Sequence, residues 1–311
     1  GILPSWRIDG NSGPAAAPRT MAPVKATTLG MGCFGDRLSL GMPILLRALA
    51  VACLTLAFGL APGFAGGPEV PPELRTRAEV SGFRATSTYA ETLDFLRRLE
   101  ARSPYFRLGV FGTSEQGRPM PFVVVSKDQA FTPEAARRLR KPIVMLQGGI
   151  HAGEIDGKAA LLLLLRDLAL GLHPAVLDRV TLLVVPIYNV DGHERVSRFN
   201  RSNQDGPVEG MGFRTNARGL DLNRDHLKLD SAEARALIAL FGAWRPHLHV
   251  DNHVSDGFDH AWVLGYATAE APQAAPSIDA WARATLPAVA EATRAASHPS
   301  ADLFRFLAST A

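Results

Sequence analysis

His151 and Glu154 stand three residues apart in "GGIHAGEIDG", residues 148–157, between two apolar runs. An imidazole and a carboxylate at this spacing suit a divalent ion, and suit a hydrogen-bonded polar turn equally well. A catalytic zinc site takes three protein ligands in tetrahedral geometry and leaves the fourth place to water. The pair therefore needs a second imidazole from a distant segment. His253 is the best-placed candidate, because it lies at the carboxyl end of the strand predicted for "PHLHVDNH", where open α/β sheets gather ligands. Asp251 and Asn252 are placed to orient such a ligand from behind. His249, Asp251 and His253 fall on one face of that strand, so His247 and His249 are rivals: with His253 they could form a core or surface cluster, and His249 could compete for the ion. His193, His226 and His260 read as ordinary polar residues.

A second group of chemically useful residues lies in a long polar stretch, residues 189–230. Arg214, Arg218, Asn223 and Arg224 fall there, and guanidinium groups match carboxylates in a two-pronged geometry. Surface arginines on a solvated loop are the plain alternative. Leu220 and Leu222 flank Asp221 with strand-like alternation, which would anchor Asn223 and Arg224 against the core. Loops of this length inside a compact domain are uncommon and usually functional.

The elements that must position these groups follow from periodicity. Thr88 with Glu91 forms a capping box ahead of Leu93, Leu96 and Leu99 on one helical face. "FRLGVFG" and "PMPFVVVS" read as a hairpin closed by "TSEQGR", and a helix is predicted over Pro133 to Arg140. "PIVMLQGG" and "RVTLLVVPIY" are apolar and β-branched throughout, as strands covered on both faces are. Helices are expected from Ile155 to Leu170, in "SAEARALIALFGAW", and from Pro276 to Ala296, with a further strand in "HAWVLGYA". Strands alternating with helices predict an α/β layered domain with a mainly parallel or mixed sheet.

Composition narrows the function classes. Residues 1–65 carry five basic and two acidic side chains, which leaves 28 of the 33 basic and 28 of the 30 acidic residues in the remainder. The basic excess of the whole chain is therefore no argument for nucleic acid, which would want a basic patch. Both cysteines, Cys33 and Cys53, also fall before residue 66, so thiolate chemistry and disulfides are excluded after it. Residues 42–65, "MPILLRALAVACLTLAFGLAPGFA", have one arginine, a short apolar centre and small residues near the end. That is the anatomy of an export leader. The expected organisation is an unstructured or mis-assigned segment at 1–41, a leader at 42–65, and one domain at 66–311 whose C-terminal part is missing, exported to the periplasm or outside the cell.

Five motifs occur together and in order: "GTSEQGRPM", "HAGE", "NVDG", "GLDLNRD" and "DNH". Over roughly residues 85 to 265 the chain resembles the zinc carboxypeptidases of the carboxypeptidase A type, with Val190 where the family has proline. The resemblance implies a mixed, largely parallel central sheet flanked by helices. It implies that His151, Glu154 and His253 bind one Zn²⁺ ion, and that Asn223 and Arg224 grip a substrate's terminal carboxylate. Arg214, which follows Phe213 where the family has a Trp-Arg pair, would polarise the scissile carbonyl and stabilise the oxyanion. The partner implied is a peptide or protein with a free C-terminal carboxylate, with no nucleic acid and no membrane after leader removal. The family also uses a later glutamate as general base and a tyrosine; only Glu270, Glu291 and Tyr266 follow His253, so both groups are expected beyond Ala311 and this chain is expected to lack full activity. A zinc amidohydrolase acting on peptidoglycan stem peptides or acylated amino acids, and an inactive peptide-binding module, are the alternatives.

Overall fold

Five strands form the frame of the site: β1 (Phe106–Thr113), β2 (Pro119–Val125), β3 (Ile143–Gly148), β4 (Thr181–Val185) and β5 (Leu248–Asn252). They lie in the order β1-β2-β4-β3-β5. β1 pairs antiparallel with β2, and β2 antiparallel with β4, while β3 runs parallel to both β4 and β5. The sheet is therefore mixed, and its parallel half carries the predicted ligands. This computed structural model describes residues 70–204, 206–255, 257, 263–268, 274–296 and 300–302. The segment 1–41, the leader at 42–65, both cysteines, His260 and Glu270 lie outside the described residues.

Every residue of β3 and β4 is buried, as their unbroken apolar text requires of strands with helices on both faces. Alternate residues serve opposite layers. Val144, Leu146, Leu182 and Val184 join one core with Phe95, Leu96, Leu99, Leu161 and Leu165; Ile143, Met145, Leu183 and Val185 join another with Leu237, Leu240 and Trp244. The first core is covered by helices α2 (Tyr89–Arg102) and α4 (Ile155–Ala169), which follow the short α1 (Arg77–Val80) and α3 (Pro133–Arg138). The second is covered by α7 (Ala232–Trp244), after α5 (Pro174–Arg179) and α6 (Val190–Glu194). Each wholly buried leucine here contributes on the order of 1.5–3 kcal/mol over an exposed one.

Local signals are realised at the helix ends. Thr88 Oγ accepts from the Glu91 backbone and Glu91 reciprocates, the predicted capping box of α2. Beyond β5, α8 (Pro276–Ala295) and the small parallel pair β6 (Leu264–Tyr266) and β7 (Ser300–Asp302) complete the described elements. No helix among the described residues is long and apolar enough to cross a membrane.

Candidate metal centre

β3 ends at Gly148, and Gly149, at φ 70°, turns the chain out of the sheet. That left-handed conformation is costly for any residue with a Cβ. His151 follows in the turn, and Glu154 takes the N-cap position of α4 without capping it by its side chain. The carboxylate faces the histidines instead, at a helix end whose dipole favours negative charge. β5 lies beside β3 with Asn252 opposite Gly148, so the chain leaves both strands at the same level. His253, the first residue past β5, thereby reaches a turn formed a hundred residues earlier.

His151 Nδ1 lies 2.9 Å from Glu154 Oε1, and His253 Nδ1 lies 2.9 Å from Glu154 Oε2. The two rings stand 5.0 Å apart between centroids. His151 and Glu154 are buried, and His253 is 35% exposed through its side chain. All three predicted ligands offer donor atoms within 4.8 Å of one another. Two donors about 2.0–2.1 Å from a tetrahedral ion are separated by roughly 3.3 Å, so each histidine–carboxylate contact, at 2.9 Å, lies within a few tenths of an ångström of that spacing. Two imidazole nitrogens and one carboxylate oxygen are a donor set that zinc favours; the residues fit the ion.

Both outer ring nitrogens are held by aspartates. Asp221 Oδ1 is 3.1 Å from His151 Nε2, and Asp251 Oδ2 is 3.2 Å from His253 Nε2. Asp251 is itself fixed by Gln147, whose Nε2 donates to Oδ1 at 2.9 Å, while Asn252 donates to the Gln147 carbonyl at 2.7 Å. A carboxylate behind each imidazole sets which nitrogen faces the centre and raises its basicity. Asp251 was legible as an orienting group; Asp221 was not, because only the tertiary fold brings it 70 residues back to His151.

Electrostatics follow the same contacts. Burial would raise the Glu154 pKa, but hydrogen bonds from His151, from His253 and from the Val254 N–H at 3.0 Å outweigh it, and the carboxyl is held far below its usual range. Hydrogen bonds to Asp251 and Glu154 push His253 up to about 10. Burial opposes the same change at Asp221, yet its bonds to Arg214 and His151 bring its pKa down. The centre is thus an ionised carboxylate facing a histidine whose proton a divalent ion would displace.

Arg214 sits beside this centre, with Nη1 3.3 Å from His151 Nδ1 and with Nε and Nη2 at 3.0 and 2.8 Å from Asp221 Oδ2. Its carbonyl accepts from the wholly buried Asn189 at 3.1 Å, and Asn189 Oδ1 accepts from the Gly192 N–H at 2.9 Å. Next along that turn, buried Asp191 accepts from Ser114 Oγ at 2.8 Å, the Gln116 N–H at 2.9 Å and Arg118 Nη1 at 2.6 Å. The hairpin turn, "NVDG" and the loop bearing Arg214 are one hydrogen-bonded unit.

Several expectations are corrected. Leu220 to Arg224 do not alternate as a strand: Leu222–Arg224 is a 3-10 turn, because Asp221 caps it by accepting from the Asn223 N–H. Leu222 alone enters the core, and Arg224 is exposed, with Nη1 on the Asn223 carbonyl at 3.1 Å. His247 Nδ1 accepts from the Ile143 N–H at 3.0 Å, and the His249 ring packs against Phe241 at 5.8 Å. Neither joins the cluster. His193 is no ordinary polar residue, since it is buried with Nε2 2.6 Å from Lys158 Nζ. Glu291 lies exposed on α8, paired with Arg294. Arg201, which drew no attention in the sequence, places Nη1 3.3 Å from Glu154 Oε1.

Fold and centre together define an α/β protein with a candidate metal site at the carboxyl edge of parallel strands. Residues 92–244 match the zinc carboxypeptidase family. Carboxypeptidase 2 of Trichophyton rubrum is 33% identical over 171 residues, covering 53% of this chain and 28% of that protein. Carboxypeptidase Z of Homo sapiens is 30% identical over 174 residues, 53% of this chain and 25% of that protein. The match thus spans little more than a quarter of the curated relatives' length. Among solved structures, the carboxypeptidase A from Helicoverpa armigera aligns with TM-score 0.48 and 16% identity, over 76% of this chain and 57% of that one. A metallo-carboxypeptidase from Burkholderia cenocepacia aligns with TM-score 0.45 and 22% identity, over 58% and 44%.

Proposed function

We propose that this protein hydrolyses C-terminal peptide bonds as a zinc carboxypeptidase, with His151, Glu154 and His253 holding one Zn²⁺. The observation that carries this is the meeting of two Nδ1 atoms on one carboxylate, each ring backed by an aspartate. Zinc bound there supplies Lewis-acid polarisation of a carbonyl and a water of lowered pKa. The chain's own groups do the rest of the positioning. Arg214, tied to Asp221 and beside His151, stabilises negative charge developing on the scissile carbonyl oxygen. Fixed cations of this kind are commonly the largest electrostatic aid to acyl transfer. Asn223 and Arg224, held at the 3-10 turn that starts from Asp221, take the substrate's terminal carboxylate. The substrate is a peptide or protein with a free C-terminus. Residues 42–65 act as an export leader and 66–311 carry the metal and carboxylate-binding groups, a proposal that rests on the leader's sequence anatomy.

Zinc content of this chain after exhaustive dialysis, and hydrolysis of paired free-acid and amidated peptides by the full-length protein, test this. Near-stoichiometric zinc, lost in His151→Ala, and a preference for free acids that disappears in Arg224→Ala are expected. Well-folded protein without zinc, or equal rates on both peptides in the parent, overturns the carboxypeptidase proposal; the second result with zinc present points to an amidohydrolase.

A further inference from the structure

Arg201 lies in the polar loop, yet its side chain is only 7% exposed. Its stem crosses Gly153, between the two ligands of the first motif: a Cβ built there would lie 2.7 Å from Arg201 Cδ and 3.2 Å from Cγ. Among the described residues the head reaches Glu154 and Gln204. Nη1 stands 3.3 Å from Glu154 Oε1, and Nε donates to Gln204 Oε1 at 2.6 Å. Gln204 Nε2 in turn donates to the carbonyl of Ser255, two residues past His253.

We infer that Arg201 is a positioning residue of the metal centre, which with Gln204 braces the Glu154 carboxylate to the loop that carries His253. This rests on the proposal that the cluster binds a metal. Of the three ligands His253 is the most exposed, and it sits at the start of a loop rather than in a strand. A tie from the neighbouring carboxylate to that loop limits where its imidazole can go, and outer contacts of this kind are worth roughly 10–100-fold in metal affinity. The guanidinium charge works in the opposite sense, since it repels a divalent cation. Charge and position are separated by variants that leave the charge in place. Gln204→Ala keeps Arg201 and cuts the tie, Gly153→Ala sets a Cβ 2.7 Å from both the Arg201 stem and the Gly212 carbonyl, and Arg201→Lys keeps a cation but loses the planar fork.

Co²⁺ replaces zinc in the full chain, affinity is read by competition with a chromophoric chelator, and the visible absorption of bound Co²⁺ reports ligand geometry. Gln204→Ala and Arg201→Lys are expected to bind Co²⁺ about tenfold or more weakly, with a shifted visible spectrum and an unchanged far-UV circular dichroism spectrum; Gly153→Ala, if folded, does the same. Folded Gln204→Ala and Arg201→Lys with the parent's affinity and spectrum overturn the brace while leaving the metal centre standing. A parent that binds no Co²⁺ overturns the metal centre and the brace with it.

Discussion

Asp221 joins three functions at one residue: it backs His151, takes the Arg214 guanidinium and caps the turn bearing Asn223 and Arg224. Replacing it by asparagine keeps the size and removes the charge. Zinc affinity of Asp221→Asn, read by chelator competition, should fall about 10–100-fold, because the imidazole loses the partner that selects its tautomer. Arg214 loses its anchor in the same variant, so kcat should fall further than zinc occupancy alone explains. An affinity equal to the parent's would show that His151 orients itself without help.

At the scale of elements, the centre depends on how the β1–β2 turn grips α6. Asp191 is wholly buried and accepts three hydrogen bonds from that turn, one of them from a guanidinium. Arg118 is partly exposed and can turn to water, but the Ser114 hydroxyl and the Gln116 N–H lose their acceptor, and a buried donor left unsatisfied costs about 1–3 kcal/mol. Asp191→Ala should therefore lower the urea-unfolding free energy by about 2 kcal/mol. It should also loosen the loop of Arg214, whose carbonyl is held by the adjacent Asn189. A loss below about 1 kcal/mol, within the range of an ordinary exposed ion pair, would mean that the hairpin is held by packing alone.

For the molecule as a whole, the telling group is Lys158, buried on α4 with its ammonium on the Ser87 carbonyl and the His193 ring. Burial lowers its pKa to about 7, against partial compensation from Glu194 and Glu91, and burial with the Lys158 charge lowers His193 to about 4. Between these values and the ordinary ones the unfolded chain binds more protons than the folded one, so stability rises with pH. For Lys158 the window runs upward from about pH 7, and for His193 from about pH 4 toward its ordinary value. Lys158→Met should flatten the rise in Tm above pH 7 while leaving zinc content unchanged. An identical slope in parent and variant would show that the ammonium keeps its ordinary pKa inside the fold.

The layers were legible because burial leaves a periodic trace: the unbroken apolar text of β3 and β4, the capping box at Thr88 and the hairpin around "TSEQGR" each report a local cause. His151, Glu154 and His253 were legible as ligand types at strand ends, since a turn after a buried strand has one edge on which to place polar groups. Which partners stand behind them was not. Asp221, Arg201 and the Lys158–His193 pair meet their partners across 35 to 70 residues, and nothing in local spacing encodes such distances. The register that sets Asn252 opposite Gly148 comes from packing both faces of the sheet at once, and with it the choice of His253 over His249. Residue chemistry and periodicity are local properties of the chain, whereas convergence is a property of the packed core.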